Sequence, residues 1–164
     1  MRLALSSTVR RHSGASVKYD DASWHYGADH FPKDQPEEHG ATHIGLFLKW
    51  CFVKGWAGQL HTEGEPEAVV EVVNGTRSGT KFLLEFCDGK FTNEDLTPEG
   101  NAFAEQYYGE NGLYLEDYIS HFGSYEYRSP ESAHDFLQFS TILEERMRSN
   151  VLTKSQVRPW WKFW

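Results

Sequence analysis

Four histidines, His25, His30, His39 and His43, fall within nineteen residues of one another, the first two among the aspartates and aromatics of "YDDASWHYGADHFP". "HGATH" sets His39 and His43 at i and i+4, a spacing that on a helix turns both imidazoles to one side and can chelate zinc. The glutamate that would follow the first histidine in an H-E-x-x-H protease pattern is Gly40 here, so a general base would have to come from Asp20, Asp21 or Glu38. The metal reading is thus a hydrolase that uses His25, His39 and His43 with Asp21. In the plainer alternative, His43 gives a ring proton to a carboxylate or carbonyl and His39 is solvated. Asp20, Asp21 and His25 also form the supporting half of a catalytic triad, a carboxylate orienting an imidazole. The nucleophile is missing: Ser23 and Thr42 qualify by type only, and no G-x-S-x-G turn exists. Aspartates that cap the loop amides, with Trp24 and Tyr26 plugging the core, would explain the same residues without chemistry.

Two further stretches fail their tests. "CDGKFTNEDL" offers Asp88, Asn93 and Asp95 but lacks EF-hand spacing, and Asp88-Gly89 reads as a turn. "GTRSGTK" lacks the G-K-[ST] ending of a phosphate loop.

Elements must position these residues. Residues 19–35 read as an ordered loop. In "EEHGATHIGLFLKWCFVKG", Ile44, Phe47, Leu48 and Cys51 make one stripe and Leu46, Trp50 and Val53 another, so this helix is central and apolar nearly all round. "PEAVVEVVNG" has Pro66 at a helix start, although its valines also suit a strand. "SGTKFLLEFCDG" is a helix capped by Ser78, and "TPEGNAFAEQYY" one capped by Thr97 with Pro98 at its first position. "GLYLEDYISHFG" follows, then "SYEYR" as a short strand. "SPESAHDFLQFSTILEERMRSN" is an amphipathic helix with Ser129, Pro130 and Glu131 at its start. The expectation is a mainly α single compact domain of five or six helices, with a minor strand element as the α+β alternative. It occupies residues 18–150, between a variable extension (1–17) and an aromatic-basic tail (151–164).

The composition narrows the function. The chain has 164 residues, one domain by length, and the 15% share of aromatic residues supplies a ring-built core despite a modest 39% hydrophobic content. Residues 1–17 carry Arg2, Arg10 and Arg11 and no acid; setting these three charges aside from the formal −8 leaves −11 on the rest. Such a body repels nucleic acid and speeds encounter with basic proteins. Cys51 and Cys87 sit in or at the end of apolar runs and read as buried free thiols, which suits the cytoplasm. No apolar run is long enough to span a membrane. The Arg- and Ser-rich start resembles a transit peptide in composition, with a disordered extension as the simpler account. "RPWWKFW" ends the chain with four large aromatics in five residues. It suits a tail that covers a core groove or docks a partner or second copy.

Four blocks, "YDDASWHYG", "ATHIGLFLKWC", "CDGKFTNEDLTPEGNAFAEQYY" and "YLEDY", resemble in this order an uncharacterised family of small bacterial domains, over about residues 18–150. The resemblance implies that residues 1–17 are an extension or a start-site artefact. It brings no activity and no catalytic residues. In size and acidity such domains are similar to the immunity proteins that neutralise bacterial toxins, an analogy of type only.

The reading favoured is a non-enzymatic binding module, in its concrete form an immunity or antitoxin-like protein that occludes a basic toxin. Asp20, Asp21, Asp29, Glu37 and Glu38 would meet the partner's cations, with Trp24, His25 and Tyr26 as central contacts. No catalytic residue and no cofactor is assigned. The metal-dependent hydrolase is the alternative, and a subunit docking through the tail the third.

Overall fold

The computed structural model describes residues 16–123 and 132–157. Among them are eight α-helices and one two-stranded antiparallel sheet, so the fold is mainly α with a small strand element. In chain order these are β1 (Lys18–Asp21), α1 (Ala22–Tyr26), a 3-10 turn (Glu37–Ala41), α2 (Thr42–Val53), α3 (Gln59–Gly64) and α4 (Pro66–Asn74). Then follow α5 (Gly79–Phe86), β2 (Lys90–Thr92), α6 (Pro98–Tyr107), α7 (Tyr114–Phe122), α8 (Ala133–Ser149) and a second 3-10 turn (Lys154–Gln156). No helix of the described residues is long and apolar enough to cross a membrane.

α2 is the axis of the domain. Every residue from Thr42 to Phe52 is buried, as two apolar stripes on one helix require. Phe47 sits at the centre of the aromatic core, with the Tyr108, Tyr114 and Phe91 rings 4.9, 5.0 and 5.7 Å from it, centroid to centroid. Rings tilted at these separations each add about 0.5–1.5 kcal/mol beyond their buried area. Two core tyrosines bond their hydroxyls across elements: Tyr114 Oη donates to the His43 carbonyl at 2.5 Å, and Tyr107 Oη to Asp117 Oδ2 at 2.7 Å. Arg146 of α8 grips the same Asp117 carboxylate with Nε and Nη2, both at 2.7 Å, and so ties α8 to α7.

Caps stand where the residue types place them. Ser78 accepts from the Lys81 amide at 3.0 Å and Thr97 from the Gly100 amide at 3.3 Å, each opening its helix. The valine-rich segment is helical, with Pro66 at its start, and a strand is excluded there. Three expectations need correction. Residues 19–35 are not all loop, because β1 and the single-turn α1 lie within them. The run from Glu37 is not one helix, because its first five residues are 3-10. α8 opens one turn later than expected, where Ser132 and Asp135 form a reciprocal capping box. The Ser129-Pro130-Glu131 start, the "SYEYR" strand, the RPWWKFW tail and most of the N-terminal extension lie outside the described residues.

Residues 151–157 stay with the domain: the Leu113 amide donates to the Leu152 carbonyl and the Lys154 amide to the Asn111 carbonyl, both at 3.0 Å. Leu152 is buried.

α2 and α5 cross at a pair of glycines. A Cβ on Gly45 would lie 2.2 Å from the Thr80 amide nitrogen, and one on Gly79 would lie 1.9 Å from the Gly45 carbonyl oxygen. The backbones touch, so no side chain can yield. Gly45→Ala should force the helices apart and lower stability by roughly 1–3 kcal/mol or more, read as a shift of the urea midpoint. A midpoint equal to the wild type would show that the crossing tolerates a methyl group.

Candidate functional site

The "YDDASWHYG" block forms its shape around one carboxylate. β1 pairs with β2 in antiparallel register, Asp20 opposite Phe91 and Asp21 opposite Lys90, with a bulge between Lys18 and Asp20. This register turns both aspartates inward, each 5% exposed. Asp21 is the N-cap of α1: its Oδ1 accepts from the Ser23 amide at 3.0 Å and from Ser23 Oγ at 2.6 Å, while Lys18 Nζ lies 2.7 Å from Oδ2. α1 then carries His25 back over Asp20.

Four groups converge on the Asp20 carboxylate. Oδ1 accepts from the Asp21 amide at 2.7 Å and faces His25 Nε2 at 2.8 Å; Oδ2 accepts from Tyr108 Oη at 2.6 Å and faces His43 Nε2 at 3.3 Å. The two imidazoles approach each other as well, Nε2 to Nε2, at 3.2 Å. Both nitrogens also face the one carboxylate, each toward its own oxygen. His25, His43 and Asp20 therefore have the donor types and spacing to hold a divalent ion. Burial alone would raise the Asp20 carboxyl. The hydrogen bonds from His25 and His43, with their charge, outweigh it and hold the group well below the usual carboxylate range.

The glycine that breaks the H-E-x-x-H pattern has a local purpose. A Cβ on Gly40 would lie 3.1 Å from the Tyr26 amide nitrogen and 3.3 Å from the His25 Cβ, so the 3-10 turn lies close on α1 and a side chain there would press on the α1 backbone beside His25. The same turn separates His39 from His43. With three residues per turn rather than 3.6, an i,i+4 pair no longer shares a face. His39 bonds Gln35 Oε1 through Nδ1 at 3.0 Å instead, and His30 is exposed.

The structure thus divides the sequence-selected residues. Asp20 and His43 are buried in the cluster, and His25 is half-buried at its edge. Asp21 is spent on the α1 cap. Asp29, Glu37 and Glu38 are exposed. Trp24 and Tyr26 do not plug the core: the single-turn α1 turns Ala22 and His25 inward and leaves Trp24 and Tyr26 outside, and Trp24 is 57% exposed with Lys18 Nζ 5.2 Å above its ring. Ser23 caps with Asp21 and is no nucleophile partner of His25. Tyr108 escaped the sequence reading because it lies 88 residues from Asp20 and carries no local signal. A cavity of about 70 Å³, lined by His25, His43, Leu115 and Tyr118, adjoins the cluster. It has room for about two waters, at about 30 Å³ each.

The depressed Asp20 carboxyl makes stability depend on pH. Its folded value lies below its unfolded one, so the native state holds fewer protons. The stabilisation is complete above the unfolded value of about 3.9 and is lost as pH falls below it toward the folded one. Asp20→Asn should cost roughly 1–3 kcal/mol at pH 7, and the gap to wild type in urea midpoint should narrow below pH 4. A gap independent of pH would remove Asp20 as the source.

Residues 18–134 match the model of a family described as a domain of unknown function (DUF7832). No curated protein and no solved structure matches the chain. The matched region opens at the first residue of β1, and it holds the whole Asp20 cluster together with the central helix. The chain belongs to this uncharacterised family.

Proposed function

We propose that the protein is a non-enzymatic binding module for a basic protein partner. One observation carries the reading: above the Asp20 cluster, an internal clamp, lies an exposed acidic-aromatic segment. That segment presents Trp24, Tyr26, Asp29, Glu37 and Glu38 to solvent. An exposed tryptophan among carboxylates is the composition of an interface centre ringed by steering charge. The formal charge of −8 adds long-range attraction for cationic surfaces. In its most concrete form the partner is a basic toxin, blocked by occlusion in the cytoplasm, as an immunity or antitoxin protein would block it. Asp20 and Asp21 support this surface from beneath and are not part of it.

A hydrolase at the same place would use Asp20 with His25 and His43, not the His25, His39 and His43 set. The adjoining cavity is small, about 70 Å³, and the exposed acidic-aromatic segment beside it favours the binding module.

The test is capture from native lysate at low salt by the tagged full chain, followed by stopped-flow association with the identified protein. A basic partner should follow the wild type in stoichiometric amount. Glu37→Lys with Glu38→Lys should slow association at least tenfold at low salt, and Trp24→Ala should speed dissociation. Equal binding by wild type and both variants would remove this surface as the interface.

A further inference from the structure

A second group of donors lies outside the Asp20 cluster, and neither the clamp nor the exposed segment uses it. His61 of α3, Cys87 at the C-cap of α5 and Asp95 in the turn after β2 bring one ligand atom each into a space where all lie within 4.8 Å of one another. His61 and Asp95 are 1% and 3% exposed, and Cys87 is half-buried. Three distant segments meet here because the chain is pinned on both sides. The Gly58 amide donates to the Asp95 carbonyl at 2.9 Å, and Ala57 bridges Leu96, so α3 starts against the Asp95 turn.

The distances have a pattern. His61 Nε2 faces Asp95 Oδ1 at 2.8 Å and Cys87 Sγ at 3.7 Å. A tetrahedral ion with bonds of about 2.3 Å to sulfur and about 2.05 Å to nitrogen sets those two atoms about 3.6 Å apart. The nitrogen–oxygen pair would open by about half an ångström to meet the same geometry. Each ligand is also held from behind. His61 Nδ1 lies 3.2 Å from Glu65 Oε2, the carboxylate–histidine support that fixes a metal-bound imidazole. Asp95 Oδ2 accepts from the Thr92 amide at 2.6 Å and from Thr92 Oγ1 at 3.1 Å, which leaves Oδ1 to face the cluster. Phe52 and Phe82 pack on the His61 ring, at 5.9 and 5.0 Å between centroids.

Thiolate, imidazole and carboxylate together are a soft-to-borderline donor set, suited to zinc and its neighbours rather than to calcium or magnesium. We propose that His61, Cys87 and Asp95 form a binding site for a zinc-class divalent transition-metal ion, with Glu65 as the positioning residue behind His61. Water or an external ligand completes the coordination on the half-buried Cys87 side. A Cys–His–carboxylate nucleophile is the competing account. It needs Nε2 for the thiol and the other ring nitrogen for the acid, but here a carboxylate sits on Nε2 as well.

Cobalt(II) is the probe, added to chelator-stripped full-length protein. One equivalent should bind with a thiolate-to-cobalt charge-transfer band in the near ultraviolet, and zinc should displace it. Cys87→Ser, nearly isosteric, should abolish the band and weaken binding at least tenfold. Glu65→Gln should keep the band and lower affinity by about 10–100-fold. His30→Ala, an exposed histidine outside both clusters, should change neither, and circular dichroism of each variant establishes that it is folded. Absence of the band at saturating cobalt, or equal affinity of wild type and Cys87→Ser, would overturn the site; equal affinity with loss in His25→Ala would move the ion to the Asp20 cluster.

Discussion

The burial of α2 on all sides is the constraint from which the rest follows. A helix with no solvent face must find a partner for every polar group it carries, since an unpaired one costs about 1–3 kcal/mol. Thr42, His43 and Lys49 are all buried on it. His43 meets Asp20 and His25 at its N-terminal end. Lys49 lays its ammonium 4.4 Å from the centre of the Phe136 ring, a cation–π contact that a desolvated charge makes worthwhile. Trp50 gives its indole N–H to Glu144 of α8 at 3.0 Å. The neighbours of α2 are thus arranged by what its polar side chains demand as much as by what its apolar ones fill.

The same constraint explains what became of the acids. The chain is rich in carboxylates, yet the two in the most conspicuous acidic pair are interior. One neutralises imidazoles and the other caps a helix, and both are tasks that a carboxylate does better than a neutral residue because it accepts several hydrogen bonds at once. The acids left on the surface of this region come from the following loop and the 3-10 turn. Sequence alone does not sort the two groups, because the sorting is done by the β1–β2 register and its bulge.

Legibility followed the range of the cause. The double stripe of α2, the Ser78 and Thr97 caps and the Pro66 and Pro98 starts are local, and the sequence reading placed them; the cap of α8 falls at Ser132 instead of Ser129. α1 and α3 are five and six residues long, too short for an apolar period to register, and both were missed. The i,i+4 histidine pair was legible as spacing, but the spacing has meaning only on an α-helix, and a 3-10 turn intervenes. His25 and His43 are both legible as residues of interest and do meet in the fold, whereas the choice of Asp20 over Asp21 and the arrival of Tyr108 depend on pairing across the fold. His61, Glu65, Cys87 and Asp95 stand too far apart in sequence for any motif, and only the packing of α3 against the turn after β2 brings them together.

The link between Asp20 and Tyr108 spans 88 residues, and its consequence is one of order in time. Closing so long a loop costs entropy that local contacts cannot return, so the clamp closes only once α2 and α6 have met. Until then the N-terminal block has neither its strand partner β2 nor its buried anchor. As the chain emerges from the ribosome, the acidic-aromatic segment leaves ahead of β2 and α6 and acquires its shape only after them. A partner that reads that shape therefore meets it only on molecules whose core is already complete.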